Sequence, residues 1–454
     1  MLKPYEEYKK IDLPWLAKVP NHWDIKRNKN VLIEKKEVVG SSANNYLLLS
    51  LTLKGVIARD MINAKGKFPK DFDTYKVVEP GNLIFCLFDI DETPRAVGLS
   101  SLHGMITGAY DVFQPVNING KYLYYYYLSI DNVKGLKPLY TGLRKVINIQ
   151  TFLGTKLPMP PKEEQDQIVR FLDWKLAKIN KLIRAKKKQI ALLNEQKQVI
   201  INNAVTKGLD PNVPMKDSGI EWIGQVPSHW KIYRNKNIFS LRKETVGESS
   251  KDYTLLSLTT NGIIPRDIES GKGKFPSDFS TYQKVYSGDF VFCLFDIDET
   301  PRTVGLSSYE GMITGAYTVM TPKNADSLFI YYYYLSLDNK KALKPLYTGL
   351  RKVINTDVFL RSKIVLPDIN EQKQIVEYIE NKINLINKAI SVIQSEISLL
   401  TEYRTRLISD VVTGKVDVRG IEIPEYEADS DDLIEDELEG ENAMDDEAEE
   451  AEVE

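Results

Sequence analysis

The chain has 454 residues, 43% of them hydrophobic and 27% charged, with a formal net charge of −3. This is an ordinary soluble composition, and no apolar run approaches the ~18 residues that a membrane helix needs. The small net charge hides a division: residues 425–454 hold 17 Asp and Glu and no Lys or Arg, which leaves 60 basic against 46 acidic residues in the remainder.

A basic body is expected of a nucleic-acid binder, although a generic basic surface has the same composition. The opening MLKPYEEYKK lacks the apolar core of a signal peptide, so a cytoplasmic location is expected. The only histidines are His22, His103 and His229, too few for a zinc cluster.

From near Leu2 to about Asp417 the chain lies on itself when shifted by 207 residues. Phe85–Arg95 reads FCLFDIDETPR, as does Phe292–Arg302, and Leu136–Asn148 reads LKPLYTGLRKVIN, as does Leu343–Asn355. Solenoid units run roughly 20–50 residues, so this period marks a duplicated domain with its connector. Two near-copies in one chain point to a pseudo-twofold molecule whose ligand is itself twofold.

Each copy opens on an aromatic lead-in, WLAKVPNHW at Trp15–Trp23 and WIGQVPSHW at Trp222–Trp230. A mixed region follows, with strand-like runs at Tyr46–Leu53 and Leu83–Phe88 and their counterparts Tyr253–Thr259 and Phe290–Phe295. Cys86 and Cys293 fall inside apolar stretches and are expected to be buried, reduced thiols. Tyr122–Ile130 and Phe329–Leu337 each hold four consecutive tyrosines, and periodicity does not decide between helix and strand there.

The acids of FDIDET (Asp89, Asp91 and Glu92; Asp296, Asp298 and Glu299) are the sharpest candidates for a metal-dependent enzyme. They lack the basic residue usual after a nuclease carboxylate pair, and an acid-rich turn that positions Arg95 or Arg302 is the favoured expectation. No Walker A loop, GxSxG elbow or glycine-rich cofactor loop is present in the sequence. The basic candidates for DNA contact are Lys65, Lys67, Arg95, Arg144 and Lys145 in the first copy and Lys272, Lys274, Arg302, Arg351 and Lys352 in the second. Arginine reads guanine through two parallel hydrogen bonds and lysine neutralises phosphate, while a solvated surface loop is the plainer alternative for each.

Each copy ends in a Pro- and Gly-free stretch, Glu163–Thr206 and Glu371–Thr413. Asp368 followed by Glu371 predicts a capping box at the second. Apolar residues keep a 3-4 spacing: Leu172, Leu176, Ile179 and Ile183 in one, Ile379, Ile383, Ile386 and Ile390 in the other. This predicts a coiled-coil seam, interrupted at Lys186, Lys197 and Arg404. About 40 residues give a rod of roughly 60 Å, and antiparallel pairing would make it a spacer between two binding heads. The acidic tail lacks periodicity and is expected to be disordered, either as a solubility tail or as a mimic of DNA charge.

The expected fold is α+β: two similar mixed domains at 1–156 and 209–363, joined by long helices at 157–208 and 364–420 that pair as an antiparallel coiled coil, and a tail at 421–454. In this order, twice, the lead-ins, the GLSS…GMITGAY segments at 98–110 and 305–317, the GLR segments at 142–144 and 349–351, the helix starts LPMPPKEEQDQIV and LPDINEQKQIV, and VTGKVDVRG at 412–420 resemble the specificity subunit of a Type I restriction–modification system.

The resemblance implies a non-catalytic subunit whose two domains each read half of a split site in double-stranded DNA. It implies docking of two methyltransferase subunits and of restriction/translocase subunits. S-adenosylmethionine, ATP and Mg²⁺ would belong to those partners, with no cofactor or metal in this chain. The likeness of the two copies adds an expectation, an interrupted inverted repeat. Differences at Lys54/Asn261, Ala58/Pro265 and Met61–Ala64 against Ile268–Gly271 would change a base or two. Two other classes stay open: a coiled-coil adaptor or DNA mimic without DNA specificity, and a stand-alone nuclease or methyltransferase using FDIDET.

Overall fold

The computed structural model describes residues 3–59, 71–140, 145–267, 278–348 and 352–425. Among the described residues it divides into two units, one of residues up to 186 together with 395–425, the other of residues 187–394. The helices in chain order are α1 (Gly120–Asp131), α2 (Ile149–Gly154), α3 (Lys162–Lys207), α4 (Ser327–Asn339), α5 (Thr356–Arg361) and α6 (Ile369–Val412). Each unit holds part of α3 and part of α6, so the two long helices join two similar mixed units. Among the described residues, no helix is long and apolar enough to cross a membrane.

The first unit is built on a four-stranded antiparallel sheet in the order Leu32–Lys35, Asp111–Pro115, Leu83–Phe85, Val97–Leu99. The second repeats it with Phe239–Leu241, Thr318–Pro322, Phe290–Phe292 and Val304–Leu306. The predicted strands are present but shorter than read, since the chain leaves the ladder after Phe85 and Phe292. Both cysteines follow at once, free and buried as expected.

The tyrosine runs are helices. Asn119 caps α1 by accepting from the amides of Lys121 and Tyr122, and Asp326 caps α4 by accepting from Phe329. Tyr122, Tyr125, Tyr126 and Tyr127 are all buried. A helix covered on every side has no polar face, and this is why its period is unreadable. Tyr127 and Tyr334 each donate to a buried asparagine, Asn28 and Asn235, at 2.6 Å. One bond is not duplicated. Trp15 donates to the Tyr126 hydroxyl at 3.1 Å, whereas the equivalent Trp222 indole and Tyr333 hydroxyl are buried and make no well-formed hydrogen bond among the described residues.

The predicted apolar positions of the two long helices lie largely out of solvent. Leu172, Ile179, Ile183, Ile379 and Ile386 are buried, with Leu176, Ile383 and Ile390 half-buried. The polar residues that interrupt them are paired. In the first unit Arg404 donates to Asn180 at 3.0 Å and Lys186 meets Glu396, so numbers rise on α3 as they fall on α6, an antiparallel pair. In the second, Lys197 donates to Asn387 at 3.3 Å.

Only half of the predicted capping box is made. Asp368 accepts from the amides of Asn370 and Glu371, but the Glu371 side chain turns away to His229 and Trp230. Glu164 near the start of α3 does likewise, accepting from Trp23 at 2.9 Å and Tyr5 at 2.5 Å and meeting His22 at 2.8 Å. The aromatic lead-ins are thus clasps on the helix starts. The far ends of the helices meet the same clasps: left-handed Gly208 (φ 72°) lies against Trp230, and Gly414 (φ 73°) against Pro20 and Trp23. A side chain at Gly414 would overlap the Pro20 ring, so only glycine both makes the left-handed turn and fits.

Candidate nucleic-acid interface

The FDIDET turn follows the central strand of each sheet and begins at a strained residue. Asp89 (φ 43°) and Asp296 (φ 42°) sit in the left-handed region, uncommon for a residue with a side chain. The Asp89 amide donates to the Lys145 carbonyl at 2.9 Å and the Ile147 amide to the Leu87 carbonyl at 2.7 Å. The turn is thereby zipped to the segment Lys145–Ile147. Asp296, Lys352, Ile354 and Leu294 repeat this with the same two distances.

The acids complete the attachment. Asp91 accepts from the Tyr140 hydroxyl at 2.8 Å and meets Lys145 at 3.3 Å, and Lys145 also pairs with Glu92. In the second unit Asp298 accepts from Tyr347 at 2.7 Å and meets Lys352 at 3.4 Å, with Lys352 also on Glu299. The tyrosine hydroxyl first, and the lysine after it, hold each aspartate below the usual carboxylate range. Hydrogen bonds to the glutamate and then the aspartate push both lysines up. Tyr140 and Lys145 flank residues 141–144, and Tyr347 and Lys352 enclose the second GLR segment. The acids therefore hold the residues on either side of each GLR segment.

This corrects the expectation that the acids position Arg95 and Arg302. Each arginine instead meets a buried aspartate on the following helix at 3.1 Å, Asp131 and Asp338. That aspartate also accepts from a backbone amide, Ala96 or Thr303, and from Lys134 or Lys341. Arg95, Arg302, Lys145 and Lys352 thus all stand in ion pairs within their units. Lys65, Lys67, Arg144, Lys272, Lys274 and Arg351 lie outside the described residues. Among the described residues, no group of three or more His, Cys, Asp or Glu is arranged to hold a metal ion.

Beside each FDIDET turn an aromatic pair is stacked, Phe88 on Tyr110 at 6.1 Å and Phe295 on Tyr317 at 6.0 Å. Sequence reasoning missed a second apolar line on α6. Tyr378, Leu385, Val392 and Leu399 recur every seventh residue, one position before the buried line Ile379, Ile386, Ile393, and all four are exposed. The same spacing that revealed the seam marks them.

A family model described as the Type I restriction modification DNA specificity domain matches residues 108–192 and 227–397, more than half of the chain. The chain is 27% identical over 308 residues to the Type I restriction enzyme MjaVIII specificity subunit of Methanocaldococcus jannaschii, covering 62% of this chain and 66% of that protein. It is 24% identical over 281 residues to the putative type I restriction enzyme MjaX specificity subunit of the same organism, covering 60% and 62%. The match thus spans slightly less than two thirds of either relative. A chain solved in work on complex assembly and conformational transition of the type I R-M system shares the fold. Its TM-score is 0.60 at 13% identity, covering 88% of this chain and 100% of that one.

Proposed function

Given that the chain belongs to the Type I restriction modification DNA specificity domain family, we propose that it is the non-catalytic specificity subunit of a restriction–modification complex. Its two units read the halves of a bipartite site in double-stranded DNA. One observation carries the symmetry of that reading: the contacts on either side of the GLR segments agree between the two units, from Asp89 and Asp296 through Tyr140 and Tyr347 to Lys145 and Lys352. Like segments present like residues, so the site is an interrupted inverted repeat, each half marked on its own strand.

Arg144, Arg351, Lys65, Lys67, Lys272 and Lys274 are the residues we assign to DNA contact. The exposed line Tyr378, Leu385, Val392, Leu399 supports docking of modification subunits, since exposed apolar residues in a regular line suit a helical partner better than water. S-adenosylmethionine, ATP and Mg²⁺ belong to the modification and restriction partners in this proposal.

The test is a genome-wide map of adenine methylation in cells expressing the chain with its methyltransferase subunit, against cells without it. A new mark on an interrupted inverted repeat is expected. Two unrelated half-sites would refute the symmetry. No mark, beside a methyltransferase shown to be active with another specificity subunit, would refute the reading.

A further inference from the structure

A short two-stranded ladder in each unit places two cations face to face. Asp24–Arg27 pairs with Lys156–Met159 in a register that sets Arg27 opposite Lys156. Lys231–Arg234 pairs with Lys363–Leu366 and sets Arg234 opposite Lys363. Residues directly opposite in an antiparallel ladder project on the same side, about 5 Å apart, and like charges there destabilise the pair. All four are exposed, and none has an ion-pair partner among the described residues. The nearby Asp24 meets Lys26 instead, at 3.6 Å, and Lys26 lies on the other face of the pleat from Arg27.

Ile25 and Ile232 also agree between the copies, but most of the rest of the ladder differs. Asp24, Lys26, Pro158 and Met159 correspond to Lys231, Tyr233, Val365 and Leu366. The unfavourable pair is thus present in both copies although those four ladder positions around it differ, and its two side chains are too exposed to serve the core. In the second unit the pair opens on a groove of about 710 Å³, which Tyr233, Asn237 and Asn324 also line. Arginine, lysine, asparagine and tyrosine are all among the side chains that bind sugar–phosphate oxygens.

We propose that the ladders carrying Arg27/Lys156 and Arg234/Lys363 are phosphate clamps that grip the DNA backbone, separate from the loops that read bases. The proposal rests on the DNA-reading function above. A phosphate between the two cations removes their repulsion, and the duplication of the clamp matches a ligand that presents the same polyanionic chain to both units.

The test compares the full-length chain with the fourfold variant Arg27→Gln, Lys156→Gln, Arg234→Gln and Lys363→Gln. Both are titrated with a duplex carrying the mapped site and with an unrelated duplex of equal length, between 50 and 200 mM salt. Each neutralised phosphate contributes about 0.9 to the slope of log affinity against log salt, so with one phosphate in each of the two clamps the variant should lose about 2 from that slope. Both duplexes should weaken by the same factor, leaving their ratio unchanged. The variant should unfold at the same temperature as the parent or above it, because a repulsion has been removed. Arg27→Lys with Arg234→Lys should keep the parent slope.

An unchanged slope in the variant, with the parent still preferring its site, overturns the clamp alone. Loss of partner-subunit binding with the slope intact assigns the ladder to a protein surface and also overturns it. A changed site preference makes these residues base readers, which overturns it too. A parent chain that prefers no DNA sinks the underlying function and the clamp with it.

Discussion

The indole of Trp23 donates to the carboxylate of Glu164 at 2.9 Å, and Trp230 does the same to Glu371 at 3.0 Å. Each bond ties the start of a unit to the start of its long helix, across 141 residues of chain. The two clasps are unequal. Glu164 is 5% exposed and also accepts from Tyr5, whose counterpart is Asn212, while Glu371 is 23% exposed. Glu164→Ala should cost about 3 kcal/mol, since it strands the buried donors of Trp23 and Tyr5. Glu371→Ala should cost about half as much. Chemical denaturation of the two variants checks the order, and equal losses would show that the extra donor contributes nothing.

The unmatched pair Trp222 and Tyr333 gives a second contrast. Tyr126→Phe removes the acceptor of the Trp15 indole and should cost about 1 kcal/mol. Tyr333→Phe removes a buried hydroxyl that makes no well-formed hydrogen bond among the described residues and should be neutral or slightly stabilising. Thermal unfolding of both variants decides. A matching loss in Tyr333→Phe would mean that an ordered water serves that hydroxyl.

The two apolar lines of α6 should separate folding from assembly. Ile379→Ala and Ile386→Ala empty buried seam positions and should each cost about 2–4 kcal/mol. Leu385→Ala and Leu399→Ala change residues that are 62% and 65% exposed and should stay within ~0.5 kcal/mol. The second pair should nevertheless weaken binding of the methyltransferase subunit, read by co-purification or calorimetry. Undiminished binding would remove this line from the docking surface.

Burial raises the thiols of both Cys86 and Cys293 above the ordinary range. A raised thiol stays protonated as pH climbs through its usual value, and the protonated form is not the nucleophile. Neither cysteine should react with a thiol reagent at pH 8 in the native chain, and two per chain should react in denaturant. Rapid native labelling would mean that the central strands open far more readily than their burial implies.

Much of the architecture was legible because it repeats or has a period. The duplication, the 3-4 spacing of Leu172–Ile183 and Ile379–Ile390, and one strand of each four-stranded sheet, Leu83–Phe85 and Phe290–Phe292, follow from the order of residues alone. Features that depend on distant partners were not legible. Asp91 and Glu92 look like metal ligands in FDIDET because Tyr140 and Lys145, which engage them, lie about 50 residues on. Glu371 looks like half of a capping box because its true partner, Trp230, is far upstream in the chain. The facing cations Arg27 and Lys156 are invisible until the ladder register is known. The tyrosine helices failed for the opposite reason, since complete burial erases the polar face on which a period depends.

Among the described residues the second unit draws on the single stretch 187–394, whereas the first also needs the residues after Ser395. Lys3 pairs with Asp417, the Gln167 amide reaches the carbonyls of Val418 and Ile421, and the Tyr122 hydroxyl reaches Val412. On the ribosome, the segment that begins first is therefore finished last. Tyr122, Ile168 and Phe171 must wait, uncovered, through the whole synthesis of the later unit. Transiently open apolar surface of this kind is what chaperones bind and what drives aggregation. The order of translation thus leaves the earlier unit as the vulnerable one, although the two are nearly the same in sequence.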